Sequence, residues 1–562
     1  MQVTLLDFVQ LGAKVVTRTK ASAGGPPGRE RVSSAMKPVM TSLVLGPMLR
    51  HVGERTATVW VETDRPGEVR VLGSAARTFT LHGHHYAVVE VDGLEPGSVT
   101  PYEVSLDGEP VWPLPGSVFP ASTIRTLGAP GPQRVAFGSC RKAPADPAAF
   151  GLDALSAYGH ELSRGAQPPA VLLMIGDQVY ADLPSDELKA FIRDRRSTEP
   201  QDEVADFEEY TELYRLAWTV DPAVRWLLST VPTFMIFDDH DVRDDWNTSY
   251  AWRQEIAARP WWRQRIVGGI GAYWIYQHLG NLSPADRAND PLYRAVRGGT
   301  EDGGKQLDEF AEQADRDPAS TRWSYTLELA GTRIVVVDSR CARLLTPDPR
   351  VRAMLDDTAL EWFDAQATGG MDHLLIVSSI PYLLPPAIHH GEAWNERVSG
   401  GSGRVARFGE KLRQASDLEH WAAFDSSFRA VASAVRAVAN GERGRAPATI
   451  AFLGGDVHYS YVAKVRNLPI FQLVCSPMRN PLTGVFRWAN VVACRPITSG
   501  PARLVARLAG APKPPLTWRI TKAPWFDNDL ATVELDGRLA SVRWQTPATA
   551  TTLRDCASTH LR

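Results

Sequence analysis

The chain has little cysteine and no long apolar run. Its five cysteines (140, 341, 475, 494 and 556) are scattered and odd in number, with no Cys-x-x-Cys pair. That excludes a disulfide framework and a thiolate zinc knuckle. No stretch reaches about 18 consecutive apolar residues, so no transmembrane helix is expected. Charge of one sign is lacking too: 61 basic residues face 64 acidic ones, a net charge of −3. Neither a nucleic-acid-binding patch nor an anionic-membrane footprint is evident from that balance. Met1–Val16 lacks a basic start before an apolar core, and no twin-arginine signal appears, which predicts a cytoplasmic protein.

What remains is ordinary for a globular chain with a sizeable core, 44% hydrophobic and 22% charged over 562 residues. At about 150 residues per domain, two to four domains are expected. Ala21–Arg31 is rich in Gly and Pro and reads, within residues 1–40, as a disordered tail. Residues 41–127 read as a small all-β sandwich domain, with alternating β-rich runs at 56–63, 67–72, 86–91 and 100–106 between Gly and Pro signals. Gly128–Gln133 reads as the linker into a larger α/β (α+β) domain over 128–562, where short apolar runs alternate with helical stretches. Near the C-terminus, residues 531–544 read as a hairpin with Asp536-Gly537 at its turn.

Three runs carry chemistry at their ends. Val171–Ile175 leads into Gly176-Asp177-Gln178-Val179-Tyr180. Phe234–Phe237 leads into Asp238-Asp239-His240-Asp241. Thr449–Gly454 leads into Gly455-Asp456-Val457-His458. Apolar runs of this length bounded by glycine or charge predict strands buried on both faces. Acids and imidazoles just past them lie at the carboxyl edge of a sheet, where ligands bind. Such a set points to a metal site. A fourth run, Arg134–Gly138, ends at Ser139-Cys140.

In this order the four segments resemble the PhoD-like phosphatases of the calcineurin-like metallophosphoesterase superfamily. The resemblance implies a β-sandwich flanked by helices, with a dinuclear metal centre at its edge. It implies Cys140, Tyr180 and His458 on one cation, Asp177 as the bridge, and Asp239 and Asp456 on the other. A thiolate, phenolate and imidazole suit a transition metal, and Fe3+ is the expectation; an all-oxygen second site favours Ca2+, with Mg2+, Mn2+ or Zn2+ as alternatives. His240 takes the role of leaving-group acid, with Asp241 expected to orient its ring. Arg141 and Arg243 are candidate substrate-binding cations for phosphate oxygens.

The function this implies is metal-dependent hydrolysis of phosphomonoesters or phosphodiesters by a metal-bound hydroxide. Two alternatives stand beside it: a phospholipase or nucleotide phosphodiesterase using the same site, and a catalytically inactive, metal-containing binding protein. The five tryptophans 246, 252, 261, 262 and 274 are expected in a helical core, Asp338-Ser339-Arg340 as support at a strand end, and the histidines at 82–85 and 389–390 on surface loops.

Overall fold

The computed structural model describes residues 42–562 apart from 129–130, 299–300 and 483; the expected N-terminal tail and the middle of the expected linker lie outside them. Two large sheets form the centre. One has six strands in the order Thr233–Ile236, Val171–Ile175, Gln133–Gly138, Leu530–Asp536, Leu539–Thr549 and Thr552–His560. The first three run parallel and the last three join antiparallel. The other sheet has seven strands, with Thr332–Val337, His373–Ser378, Thr449–Gly454 and Ile470–Val474 parallel at its middle.

Side chains alternate along a strand, and the two cores divide accordingly. Ile334, Val336, Leu375, Val377, Ala451 and Leu453 share one core with Val135, Phe137, Leu173, Val533 and Val542 of the first sheet. Val335, Val337, Leu374, Ile376, Ile450 and Phe452 point the other way, onto Phe363, Val431, Val435 and Val438 of the helices Asp357–Gln366 and Asp425–Ala439. The result is a sandwich with helices on its outer face, as the runs of apolar residues imply.

The C-terminal hairpin forms with Gly537 and Arg538 between the paired Asp536 and Leu539. Gly537 has φ +54°, the left-handed conformation that a two-residue turn requires. It extends the sheet that carries the first three motifs.

The N-terminal strands make two antiparallel four-stranded sheets. Val59, Val61 and Val89 meet Val69, Val71 and Val104 between them. The other face of Ala57–Thr63 is covered as well: Trp60 and Tyr86 join the main core beside Tyr276. Arg50 donates to the Gln277 carbonyl at 2.6 Å, and Tyr276 donates to Glu62 at 2.8 Å. Four of the five tryptophans are buried core, and Trp261 is partly so. His389 and His390 are also buried, in the helix Pro386–Ser399 rather than on a loop. The apolar contacts of His389 with Phe428 and Trp518 explain the difference.

Candidate metal centre

Because Gln133–Gly138, Val171–Ile175 and Thr233–Ile236 are parallel, their carboxyl ends emerge at one edge, and Thr449–Gly454 ends there from the second sheet. Close packing makes this edge. A Cβ on Gly176 would lie 2.8 Å from the Asp238 Cβ, and one on Gly455 would lie 2.3 Å from the Ser139 Oγ. Cys140, Asp177, Asp456 and His458 all have φ between +53° and +65°. Left-handed backbone at non-glycine residues costs about 1–3 kcal/mol each and clusters at functional sites. Here it turns each side chain inward directly after its strand.

Two donor sets result. Ligand atoms of Cys140, Asp177 and His458 lie within 4.8 Å of one another, as do those of Asp177, Asp239 and Asp456. Asp177 belongs to both. The Tyr180 hydroxyl sits 3.5 Å from the Asp177 Oδ2 and accepts from the Asn480 amide at 3.1 Å.

The buried oxygens fit a cation. Asp177 Oδ1 and Asp238 Oδ2 have no hydrogen-bond partner, and Asp239 Oδ1 has only the Arg340 guanidinium at 3.3 Å. Unpartnered buried carboxylate oxygens are costly, and a divalent or trivalent ion satisfies them. Burial and the neighbouring Asp239, Asp238 and Asp456 push the Asp177 carboxyl well above its ordinary range. Burial, with Asp177 and Asp456, pushes the Cys140 thiol up likewise. A cation reverses both shifts, since it favours the anionic form of its ligands. Burial lowers the His458 pKa to about 4, which keeps a neutral imidazole ready to ligate.

His240 stands beside these sets. Its Nδ1 pairs with Asp182 at 2.9 Å, and its ring lies 4.7 Å from that of Tyr180. Asp241, the expected orienting group, is engaged elsewhere: it accepts from the backbone N–H of Asp177 at 3.0 Å and of Asp238 at 2.9 Å. It therefore fixes the two motif loops to each other. Asp182 follows Tyr180 by two positions, so its place beside the second motif was the available signal.

Arg141 and Arg243 are not brought to the site as free phosphate donors. The buried Arg141 guanidinium pairs with Asp153 at 2.9 Å and donates to the Ala217 carbonyl at 2.8 Å. Asp153 also caps the helix Ala154–Ser163, so the pair anchors the first motif loop. Arg243 pairs with Glu203 and lies over Trp261. A cation that does lie near Tyr180 is Lys142, whose Nζ is 5.8 Å from the centre of the Tyr180 ring.

Two further groups reach the acidic motifs, and only His420 was missed by sequence. Arg340, fully buried, pairs with Asp238, with Asp239 at 3.3 Å and with Glu419 at 2.6 Å. It is the strand-end support expected of Asp338-Ser339-Arg340, extended onto the acidic motif. His420 places Nε2 3.2 Å from the Asp456 Oδ2 while its Nδ1 pairs with Glu392 at 2.7 Å. Nothing local to residues 415–425 announces this, because the partners come from the distant helix Pro386–Ser399 and from the loop after Thr449–Gly454.

Residues 135–315 match the family model described as PhoD-like phosphatase. Over this segment the chain is similar to the PhoD-like phosphatases. The family matched is one of phosphoric ester hydrolases. Ahead of the PhoD-like segment, residues 40–124 match a domain of unknown function, DUF7800. A solved structure described as PhoD is similar in fold, with TM-score 0.54 and 12% identity over 92% of this chain and 88% of that one. A purple acid phosphatase from yellow lupin (Lupinus luteus) seeds gives TM-score 0.46 and 11% identity over 92% and 73%. No curated protein matches the sequence. Among the described residues no helix is long and apolar enough to cross a membrane.

Proposed function

We propose that this PhoD-like chain hydrolyses phosphate esters using two adjacent cations. Cys140, Asp177, Tyr180 and His458 hold one; Asp177, Asp239 and Asp456 hold the other. The observation that carries this reading is the sharing of Asp177 between two donor sets, since ions about 3.5–4 Å apart need a bridging carboxylate. Thiolate, phenolate and imidazole donors suit Fe3+ at the first position, and carboxylates suit Ca2+ at the second.

When bound, the cations supply an activated water and positive charge opposite the phosphoryl oxygens. The chain supplies the rest. Asp182 holds the His240 Nδ1, which leaves Nε2 to deliver a proton to the departing oxygen. The ring contact with Tyr180 keeps the imidazole beside the donor sets. Lys142 lies where it attracts an anionic ester to that side.

The test is release of p-nitrophenol from bis-p-nitrophenyl phosphate and p-nitrophenyl phosphate with added Ca2+, for wild type and His240→Ala. Wild-type release with a loss of about 10² or more in the variant supports the reading. Equal release from both proteins removes His240 from its role. No release of either ester by wild type favours the metal-containing binding protein and overturns the hydrolytic reading.

A further inference from the structure

The near-neutral charge of the whole chain hides a segregation. Between Asp456 and Asp527 there is no acidic residue at all, while the stretch Arg487–Lys513 alone carries Arg487, Arg495, Arg503, Arg507 and Lys513. Two helices fill most of it, Gly484–Ala493 and Pro496–Leu508.

Their inward face is small and apolar. Ala506 and Ala511 pack on Ala393 and Trp394 of the helix Pro386–Ser399, and Cys494 joins the core beneath. Their outward face is large and apolar: Trp488 is 70% exposed, Ile497 81%, Leu504 59%, Val505 50% and Leu508 80%. Sixteen large apolar side chains are exposed among the described residues, and these five fall within 21 consecutive positions. Single exposed apolar residues need no explanation; a cluster of this kind marks an interaction surface.

The mixture decides the occupant. A second copy meeting this face about a two-fold axis would set the arginines against themselves with no acid to answer them. Protein interfaces of apolar character are instead depleted of charge at their centre. A nucleic acid would use the cations but leave Ile497, Leu504 and Leu508 in water. An anionic bilayer uses both, with apolar side chains and a tryptophan at the acyl boundary and cations among the headgroups. We infer that the helices Gly484–Ala493 and Pro496–Leu508 form a docking surface for anionic phospholipid membranes.

The surface is joined to the catalytic edge. Arg487 lies 4.9 Å over the Phe526 ring, and Phe526 is 5.9 Å from the ring of Tyr459, which directly follows His458. Docking through this pair therefore holds the Asp456–His458 wall close to the lipid surface.

The experiment is cosedimentation of the full chain with vesicles of phosphatidylcholine alone and of phosphatidylcholine with an equimolar share of phosphatidylglycerol. Wild type is expected to pellet with the anionic vesicles, less so at high salt, and to remain in solution with the neutral ones. Trp488→Ser/Leu508→Ser and, separately, Arg495→Glu/Lys513→Glu should each weaken the anionic partition roughly tenfold, with circular dichroism and turnover of a soluble ester unchanged. Failure of wild type to pellet with anionic vesicles overturns the proposal, as does equal pelleting by both variants. A concentration-dependent dimer abolished by Leu508→Ser, without vesicle binding, assigns the face to self-association and also overturns it.

Discussion

The His240 imidazole and the Asp182 carboxylate form a partly buried pair, Nδ1 to Oδ2 at 2.9 Å, beside the two donor sets. Burial alone would drive the two groups toward neutrality. The pairing overrides it, raising the His240 pKa well above its ordinary value and lowering that of Asp182 to about 2. If the pair positions the acid, Asp182→Asn should reduce kcat by roughly 10–100-fold while changing KM little, and Asp182→Glu should recover part of it. Steady-state kinetics on bis-p-nitrophenyl phosphate read this; unchanged kcat in Asp182→Asn contradicts it.

Lys142 makes a second, separable prediction. Its ammonium lies over the Phe150 ring at 4.7 Å and near that of Tyr180, positioned to attract an anionic ester. Lys142→Ala should raise KM several-fold and leave kcat within about twofold, because binding in ground and transition states is lost alike. A fall in kcat at constant KM would place Lys142 in the chemical step instead.

The legibility of the site in the sequence was uneven, for physical reasons. Strand-end motifs were readable because apolar runs and the polar residues that end them are local patterns, so the residues that the fold gathers into the two donor sets, Cys140, Asp177, Asp239, Asp456 and His458, could be picked out as candidates before any geometry. The same locality misled for Arg141, Arg243 and Asp241. Nearness in sequence to a motif says nothing about which way a side chain turns, and Asp153, Glu203 and Gln277 claimed them from other elements. His420 and Arg340 reach the site across gaps of 36 and 102 residues to Asp456 and Asp238, a link that only the packed sandwich makes visible. Of the fold, the alternation of the N-terminal strands and the hairpin at Gly537 were legible. The burial of both faces of Ala57–Thr63 was not, because it depends on helices more than 150 residues away.

Arg340 is fully buried among Asp238, Asp239 and Glu419. Removing one member of such a network leaves uncompensated buried charge, so Arg340→Met should lower unfolding free energy by about 3–5 kcal/mol. Urea denaturation measures this. A change under about 1 kcal/mol would mean that the acids are neutralised by other means.

His84 links the N-terminal strands to the helix Phe207–Thr219, pairing with Glu62 at 2.9 Å and Glu208 at 2.8 Å. Burial would lower its pKa, but hydrogen bonds to the two carboxylates raise it to about 9. A group raised in the folded state stabilises fully below its unfolded value, about 6.5, and loses that contribution as pH climbs through about 9. His84→Gln should therefore cost up to about 3 kcal/mol at pH near 6 and markedly less above pH near 9.5. Thermal denaturation of both proteins across this window checks the sign; a cost that grows with pH contradicts it.

The central claim is that one carboxylate, Asp177, serves two cation positions and thereby the hydrolysis. The most direct measurement is elemental metal content per chain, taken together with bis-p-nitrophenyl phosphate turnover, for wild type and Asp177→Asn. Wild type should carry about two metal equivalents and turn over the ester, with both metals depleted and turnover abolished in a folded variant. An Asp177→Asn protein that keeps its metals and wild-type turnover would contradict it.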